Sequence, residues 1–492
     1  MSKHSALLPI WVVGFTGHRR LDNPDAVGAT LLELITSLAA EIPDQIVGHS
    51  SIAIGGDTLF AEACLSLDIP WIALLPVAED DFRSDFTEAE WTKARQLLQR
   101  AARLQSLPAV NDRNIAYLEC GLATVEDADV MIAIWDGEPS RGPGGTADVI
   151  AHARVLGKPL ILIHPDRLSV VRERFTLETF SDSEMEYFNH LPDRSSGAAK
   201  TPAQPPDAQA RVLRFFEKVD AEATRNAPSF RRWVAASVIM NTLAAILVAA
   251  TIGLRLHSIM LDTTEFILLG GAVLSVVWIK RQRAHRNWIR CRVAAEICRS
   301  SLATWHLGHV VPPIWYSHLA DFSRLAKSIR LLQMRAQNPA LSFAECRENY
   351  LAYRISGQLR YFTARSGRLA SALTWLTCGF WIFSAASLGR TLFATFFSLS
   401  PSYPNMANVV VSFLPIALPL VAGCALSLIS IFDLGRQLES SRGMEGVLRE
   451  AHRRIEKCEN LSSLRRAVES IEDTLAAEFM EWFALFKFPR FK

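Results

Sequence analysis

A chain of 492 residues is too long for one hydrophobic core, so two or three folded units are expected. Half of the residues are hydrophobic, only 21% are charged and the mean hydropathy is +0.15, which is apolar for a soluble protein of this size. Lys and Arg (52) nearly balance Asp and Glu (50), so the net charge of +2 provides no general attraction for nucleic acid. The eight Cys form no Cys-x-x-Cys pair and no Cys/His spacing, so neither a zinc site nor a disulfide framework is expected. They read as small buried hydrophobes in a reducing compartment.

In chain order, Leu8 to Val13 is a short apolar run suited to a strand buried on both faces. The segment MSKHSALLPIWVV lacks the long apolar stretch and cleavage site of a signal peptide, so the N-terminal domain is expected to stay in the cytoplasm. A loop with Gly14, Thr16, Gly17, His18 and Arg19 follows, then an amphipathic helix from Asp25 to about Ala40. Ser51–Ile54 is read as a second strand, ending in Gly55-Gly56-Asp57 and a helical run that carries Glu62. Trp71 to Leu75 is a third strand, Glu88 to Leu104 a helix, and Val110 to Asn114 a polar loop with Arg113, before a helix over Ile115–Glu126. Val130 to Ile134 is a buried strand that breaks at Trp135-Asp136-Gly137, crosses a Gly/Pro-rich loop and enters a helix at Gly144-Gly145-Thr146-Ala147-Asp148. A helix over Ala147–Leu156 and a strand over Pro159–Ile163 complete an alternation that predicts an α/β fold, a Rossmann-like doubly wound parallel sheet.

Three glycine-bearing loops thus sit at the carboxyl ends of expected strands, where open α/β sheets bind ligands. Glycines let backbone N–H groups approach an anion, and a helix N-terminus adds partial positive charge. Arg19 and Arg113 could grip a phosphate bidentately.

Those loops resemble the SLOG superfamily, in the order Gly-x-Thr-Gly-His-Arg, Gly-Gly-Asp-x-x-x-x-Glu62 and Trp-Asp-Gly followed by Gly-Gly-Thr-Ala, over roughly residues 8–165. The resemblance implies a nucleotide-binding domain related to the cytokinin-activating LOG phosphoribohydrolases, DNA-processing proteins and sensor domains of bacterial defence systems. LOG hydrolases carry Pro-Gly-Gly-x-Gly-Thr-x-x-Glu, whose glutamate serves glycosidic cleavage. Aligned on Gly-Thr, that position here holds Val149, and Asp148 lies one residue early, about 100° round a helix. The departure favours binding without turnover.

Asp193 to Ala210 is rich in Pro, Ser and Ala and reads as a linker. Beyond it lie four apolar runs near or above spanning length: Trp233–Leu254, Phe266–Ile279 (with residues from Ile259), Leu369–Leu388 and Val409–Phe432, the last with Pro415 and Pro419. Basic residues flank the outer ends of both hairpins: Arg225, Arg231 and Arg232; Lys280 to Arg286; Arg360, Arg365 and Arg368; Arg436 and Arg442. By the positive-inside rule these ends face the cytoplasm. Each hairpin is followed by a charged return helix, Lys280–Trp305 or Asp433–Ile455, a layout suggesting tandem duplication. The expected division is 1–175 for the α/β domain, 176–210 for the linker, and 211–340 and 341–492 for two hairpin units. Trp288, Arg292 and Glu296 share one helix face. With Glu478-Phe-Met-Glu481-Trp482, they resemble the SLATT type of two-helix membrane effector.

The two resemblances together imply a nucleotide-sensing membrane effector of bacterial antiphage defence, in the cytoplasmic membrane, with no resident cofactor. The partners implied are a small nucleotide signal, the lipid bilayer, further copies of the chain and an enzyme that makes the signal. The competing expectation is a membrane-tethered nucleotide N-glycosidase or NAD hydrolase using Asp148 or Glu62.

Overall fold

A computed structural model describes residues 7, 9–42, 45–108, 110, 112–140, 142–176, 179–192, 207–254, 258–281, 284–307, 319–336, 341–396 and 408–487. The chain divides into two units. One comprises residues 1–193, 197–215 and 315–338, the other 194–196, 216–314 and 339–492.

The first unit is a seven-stranded sheet: β1 (Ile10–Gly17), β2 (Gln45–Ser50), β3 (Trp71–Leu75), β4 (Arg103–Ser106), β5 (Val130–Ile134), β6 (Leu160–Ile163) and β7 (Val170–Glu173), in the order β4-β3-β2-β1-β5-β6-β7. All pairings are parallel except β6 with β7. The central strands are buried on both faces, which is why Trp71-Ile-Ala-Leu-Leu75 and Val130-Met-Ile-Ala-Ile134 are continuous apolar runs. Helices cross between them: Pro24–Glu41 behind an Asn23 cap, Glu88–Arg100 behind a Thr87/Glu90 capping box, and Arg113–Asp127 capped by Asp112. The order of the strands reverses its march across the sheet between β1 and β5, which creates a topological switch point at their carboxyl ends.

Four details depart from the sequence expectation. The first strand runs on through Gly17 instead of ending at Val13, so Gly14, Thr16 and Gly17 belong to the strand and not to the loop. The second strand lies at Gln45–Ser50, not Ser51–Ile54, because Ser51 to Ala53 already belong to the turn into helix Gly56–Ser66. The segment expected to be helical to Leu104 ends at Arg100 and supplies the polar edge strand β4, and β7 adds an antiparallel edge. The helix Ser323–Arg335, assigned above to the first hairpin unit, packs in this unit beside β1. There Ser328 Oγ accepts the Ile10 N–H at 2.9 Å, Arg324 stacks 3.4 Å over the Trp11 ring, and Lys327 reaches Asp129 at 3.0 Å. Burial alone would raise the Asp129 carboxyl, but Lys327 and Arg324 hold it below the usual carboxylate range.

The second unit is helical. Four of its helices are long and apolar enough to cross a membrane: Arg232–Leu254, Ile259–Trp278, Phe343–Phe396 and Val409–Ile431. Their apolar side chains are largely uncovered, with Phe266 and Trp375 each 79% exposed. Between them Ser237 Oγ donates to the Ala272 carbonyl, and Gly253 lies against the backbone of Phe413. Pro419 falls inside Leu414–Ile431. The return helices are observed as Ala284–Ala303 and Leu434–Glu456. Most of the linker expected over Asp193–Ala210, and the side chains of Lys280 to Arg283, lie outside the described residues. Six cysteines are buried as expected, but Cys378 is exposed on the third apolar helix and Cys424 is half-buried.

Candidate functional site

At the switch point a cavity of about 610 Å3 opens between the ends of β1, β2, β5 and β6. Its floor is Phe15, Thr16 and Gly17, where β1 runs out beside β5. Two helix N-termini converge on it, that of Gly56–Ser66 through Asp57 and that of Thr146–Val155 through Gly144, Gly145 and Thr146. The first amides of each helix lack intrahelical acceptors, so the walls carry backbone donors and partial positive charge. Arg19 and Arg20 add two cations, and among the described residues neither forms an ion pair. The Arg19 guanidinium lies 4.6 Å over the Tyr117 ring, whose hydroxyl is bonded to Asp85.

His18 bridges the first and third loops. Its Nε2 stands 3.1 Å from both Asp136 Oδ1 and the Asp136 backbone nitrogen. Desolvation acts to raise the Asp136 carboxyl, but the Glu138 N–H and the His18 ring hold it below its ordinary value. Asp57 behaves oppositely. Its carboxyl is fully buried and accepts the Ala53 N–H at 3.0 Å, and burial pushes it up to about 7 despite that bond and the Arg19 charge. A group poised near neutrality can accept or donate a hydrogen bond to a ligand. Asp22, Glu138 and Asp166 also line the cavity, so carboxylates are at least as numerous there as cations. That balance suits a ligand with hydroxyls as well as phosphates.

Several expected site residues serve the fold instead. Gly14 is inside β1, packed against Met131 and Ala128. Gly55 has φ +87, and a Cβ there would fall 2.6 Å from the His18 carbonyl oxygen and closer still to that of Arg19. Gly56 donates its N–H to the His18 carbonyl at 3.0 Å. These two glycines let the first loop cross the second and do not line the cavity. Glu62 faces Lys93 in a 2.8 Å ion pair outside the cavity. Arg113 is held by Asp85 at 2.8 Å and by the Asp81 carbonyl at 2.8 Å. Trp135 donates to the Glu138 carbonyl and packs under Arg154.

Asp148 also turns inward on its own loop, accepting the Gly144 N–H at 3.1 Å, while Ser140 Oγ accepts the Asp148 N–H. Val149, 2% exposed, stands in the cavity wall instead. Sequence reasoning did not find Ser51, whose buried Oγ lies in the wall beside the Cys120 thiol, nor Tyr117, Cys120 and Thr124 from helix Arg113–Asp127. A small polar or aromatic stripe on one helix face carries no signal of the loops it will meet.

No protein-family model and no curated protein matches the chain.

In the second unit a buried ion network was also absent from the sequence reading, apart from Glu296. Arg354 (2% exposed) donates to Glu472 at 2.7 and 2.8 Å and to Glu296 at 3.0 Å. Tyr350 and Ser300 complete the Glu472 shell, and Arg299 joins Glu296 to Asp220. Burial would raise Glu296, yet the surrounding arginines lower it to about 2. The hub sits on a π-helical turn, Tyr350–Ile355, directly before the long helix Ser356–Phe396.

Proposed function

We propose that this protein is a nucleotide-sensing membrane effector, of the kind used in bacterial antiphage defence. A nucleotide with the paired phosphates and ribose hydroxyls of an NAD or ADP-ribose derivative occupies the switch-point cavity and triggers permeabilisation of the membrane. The observation behind this is the convergence of two helix N-termini, Arg19, Arg20, Asp57 and Asp136 on one cavity, in a chain that also carries four helices of membrane-crossing length. Phosphates fit the amides at Gly145 and Thr146 and the arginine pair. Ribose hydroxyls fit Asp57 and Asp136. The resemblance of the loops to SLOG domains and of the helical hairpins to SLATT effectors supports the same reading.

Sensing without cleavage is favoured by Val149, which puts an apolar wall where a LOG hydrolase has its glutamate. Gating requires differential affinity, since a ligand that binds both states equally shifts nothing. Polar groups within the spans are sparse, and Asn241 is already bonded to the Ser237 carbonyl. An aqueous path therefore needs several copies of the chain around it, which makes a homo-oligomer part of the proposal. The setting proposed is the bacterial cytoplasmic membrane with the α/β unit inside, where a co-encoded enzyme would supply the signal. Dye release from liposomes containing the full chain, with and without nucleotides, tests gating: tight binding without any ligand-dependent leak refutes it.

A second reading is a membrane-tethered N-glycosidase or NAD hydrolase, favoured by one observation, the Asp57 carboxyl at about 7 inside the cavity. It would use Asp57 rather than Glu62 or Asp148, which the fold engages elsewhere. Release of free base from NAD that survives Asp57→Asn removes this reading.

A further inference from the structure

The helical unit contains a second hollow, of about 600 Å3, distinct from the α/β cavity. Three arginines face it: Arg292 from helix Ala284–Ala303, and Arg365 and Arg368 from helix Ser356–Phe396. The groups they touch directly are neutral. Arg292 lies 5.8 Å over the Tyr361 ring, Arg365 donates to Gln437 Oε1 at 3.3 Å, and Arg368 donates to the Ala364 carbonyl at 3.2 Å. Among the described residues none of the three forms an ion pair with a carboxylate.

Two carboxyl groups also face the hollow, and neither neutralises these arginines at close range. Glu296 has its oxygens committed to Arg354 and Arg299. Glu478 is half-buried, with no ion pair to these arginines, and desolvation pushes its carboxyl up against the pull of Arg365 and Arg292. Three converging guanidinium groups with no carboxylate in ion-pair contact among the described residues match a phosphate, the acceptor to which Arg is best fitted.

The rest of the wall indicates what carries that phosphate. Trp288 and Trp482 meet edge to face at 5.3 Å and line the hollow. Arg368 is followed at once by Leu369, where the apolar run of the third span begins. Arginines and tryptophans at the foot of a membrane-length helix are placed where lipid headgroups lie.

We propose that this hollow is a phosphate-binding site whose occupant is the headgroup of an anionic phospholipid, gripped by Arg292, Arg365 and Arg368. This does not rest on nucleotide sensing, and it can hold or fail whatever nucleotides do at the other cavity.

The test uses the full-length chain, delipidated in detergent and titrated separately with phosphatidylglycerol, phosphatidylcholine and inorganic phosphate, with bound mass read by native mass spectrometry. The expected result is retention of phosphatidylglycerol over phosphatidylcholine, weakened about tenfold by Arg365→Gln or Arg368→Gln and less by Arg365→Lys. Glu478→Gln, which removes the competing carboxyl without touching the arginines, is expected to bind at least as tightly. Inorganic phosphate bound with the same arginine dependence, and no lipid retained, would keep the phosphate site and reassign its source. Equal retention of both lipids, or binding unchanged by the glutamine variants, overturns the proposal.

Discussion

Asp57→Asn isolates a single charge at the heart of the α/β cavity. The Asp57 carboxyl lies in the first turn of helix Gly56–Ser66, and its Oδ2 accepts the Ala53 N–H at 3.0 Å. Asparagine keeps an oxygen for that bond and removes the charge. Burial, opposed by the Ala53 hydrogen bond and by Arg19, raises this carboxyl from 3.8 to about 7. That displacement corresponds to about 4 kcal/mol between the charged and neutral forms. The folded state therefore holds the proton to higher pH than the unfolded chain. The contribution of this one group to stability is greatest below pH 4, falls as pH rises from about 4 to 7, and is lowest above 7. Relative to the native chain, Asp57→Asn is expected to raise the melting point of the α/β unit on the order of 10 °C at pH 8. The gap should narrow steadily and vanish below about pH 4. Thermal melting of the full chain in detergent, with hydrogen exchange over residues 51–66 as the local readout, measures it. A gap independent of pH, or an Asn variant less stable at pH 8, would refute the assignment of a desolvated, readily protonated Asp57.

Other expectations follow from the same geometry. Arg354→Met leaves Glu472 and Glu296 buried without their shared cation, and should cost about 3–5 kcal/mol, seen as loss of a cooperative melt of the helical unit. Gly55→Ala places a Cβ against the His18 and Arg19 carbonyls at φ +87, so a loss of about 1–3 kcal/mol should appear together with exchange in the first loop. Glu62→Gln breaks a half-exposed pair with Lys93 and should change stability by less than about 1 kcal/mol, with nucleotide binding by calorimetry unaltered. Arg19→Ala, by contrast, removes a cation from the cavity and should weaken nucleotide binding roughly tenfold, also read by calorimetry.

The membrane-length helices were legible because length and apolarity alone define them, whatever the helices later touch. Strands β3, β5 and β6 were legible for a similar reason, being short apolar runs between turns. Strand β2 was misplaced because Gly48 and His49 interrupt its apolar pattern, although both pack inside. Strands β4 and β7 are polar or exposed edges whose pairing comes from their neighbours. The loop after β5 lies where the sequence placed it, the loop after β1 begins only past Gly17 rather than at Gly14, and Thr16, His18, Arg19, Asp57, Asp136 and Thr146 line one cavity. What a sequence does not display is which charged groups are already taken. Arg113 meets Asp85 28 positions away, and Arg354 meets Glu472 across 118. Likewise Gly55 and Gly144 are glycines for close backbone crossings, at His18/Arg19 and at Tyr117/Leu118, a need indistinguishable in sequence from ligand approach.

The central claim is that occupancy of the switch-point cavity changes the state of the membrane helices. Its most direct measurement is dye release from liposomes bearing the full chain, titrated with NAD- and ADP-ribose-derived nucleotides beside calorimetric binding to the same preparation. Leak that rises with occupancy, and shifts to higher nucleotide concentration in Arg19→Ala in step with binding, is the predicted result. Saturated binding with no change in leak would contradict it.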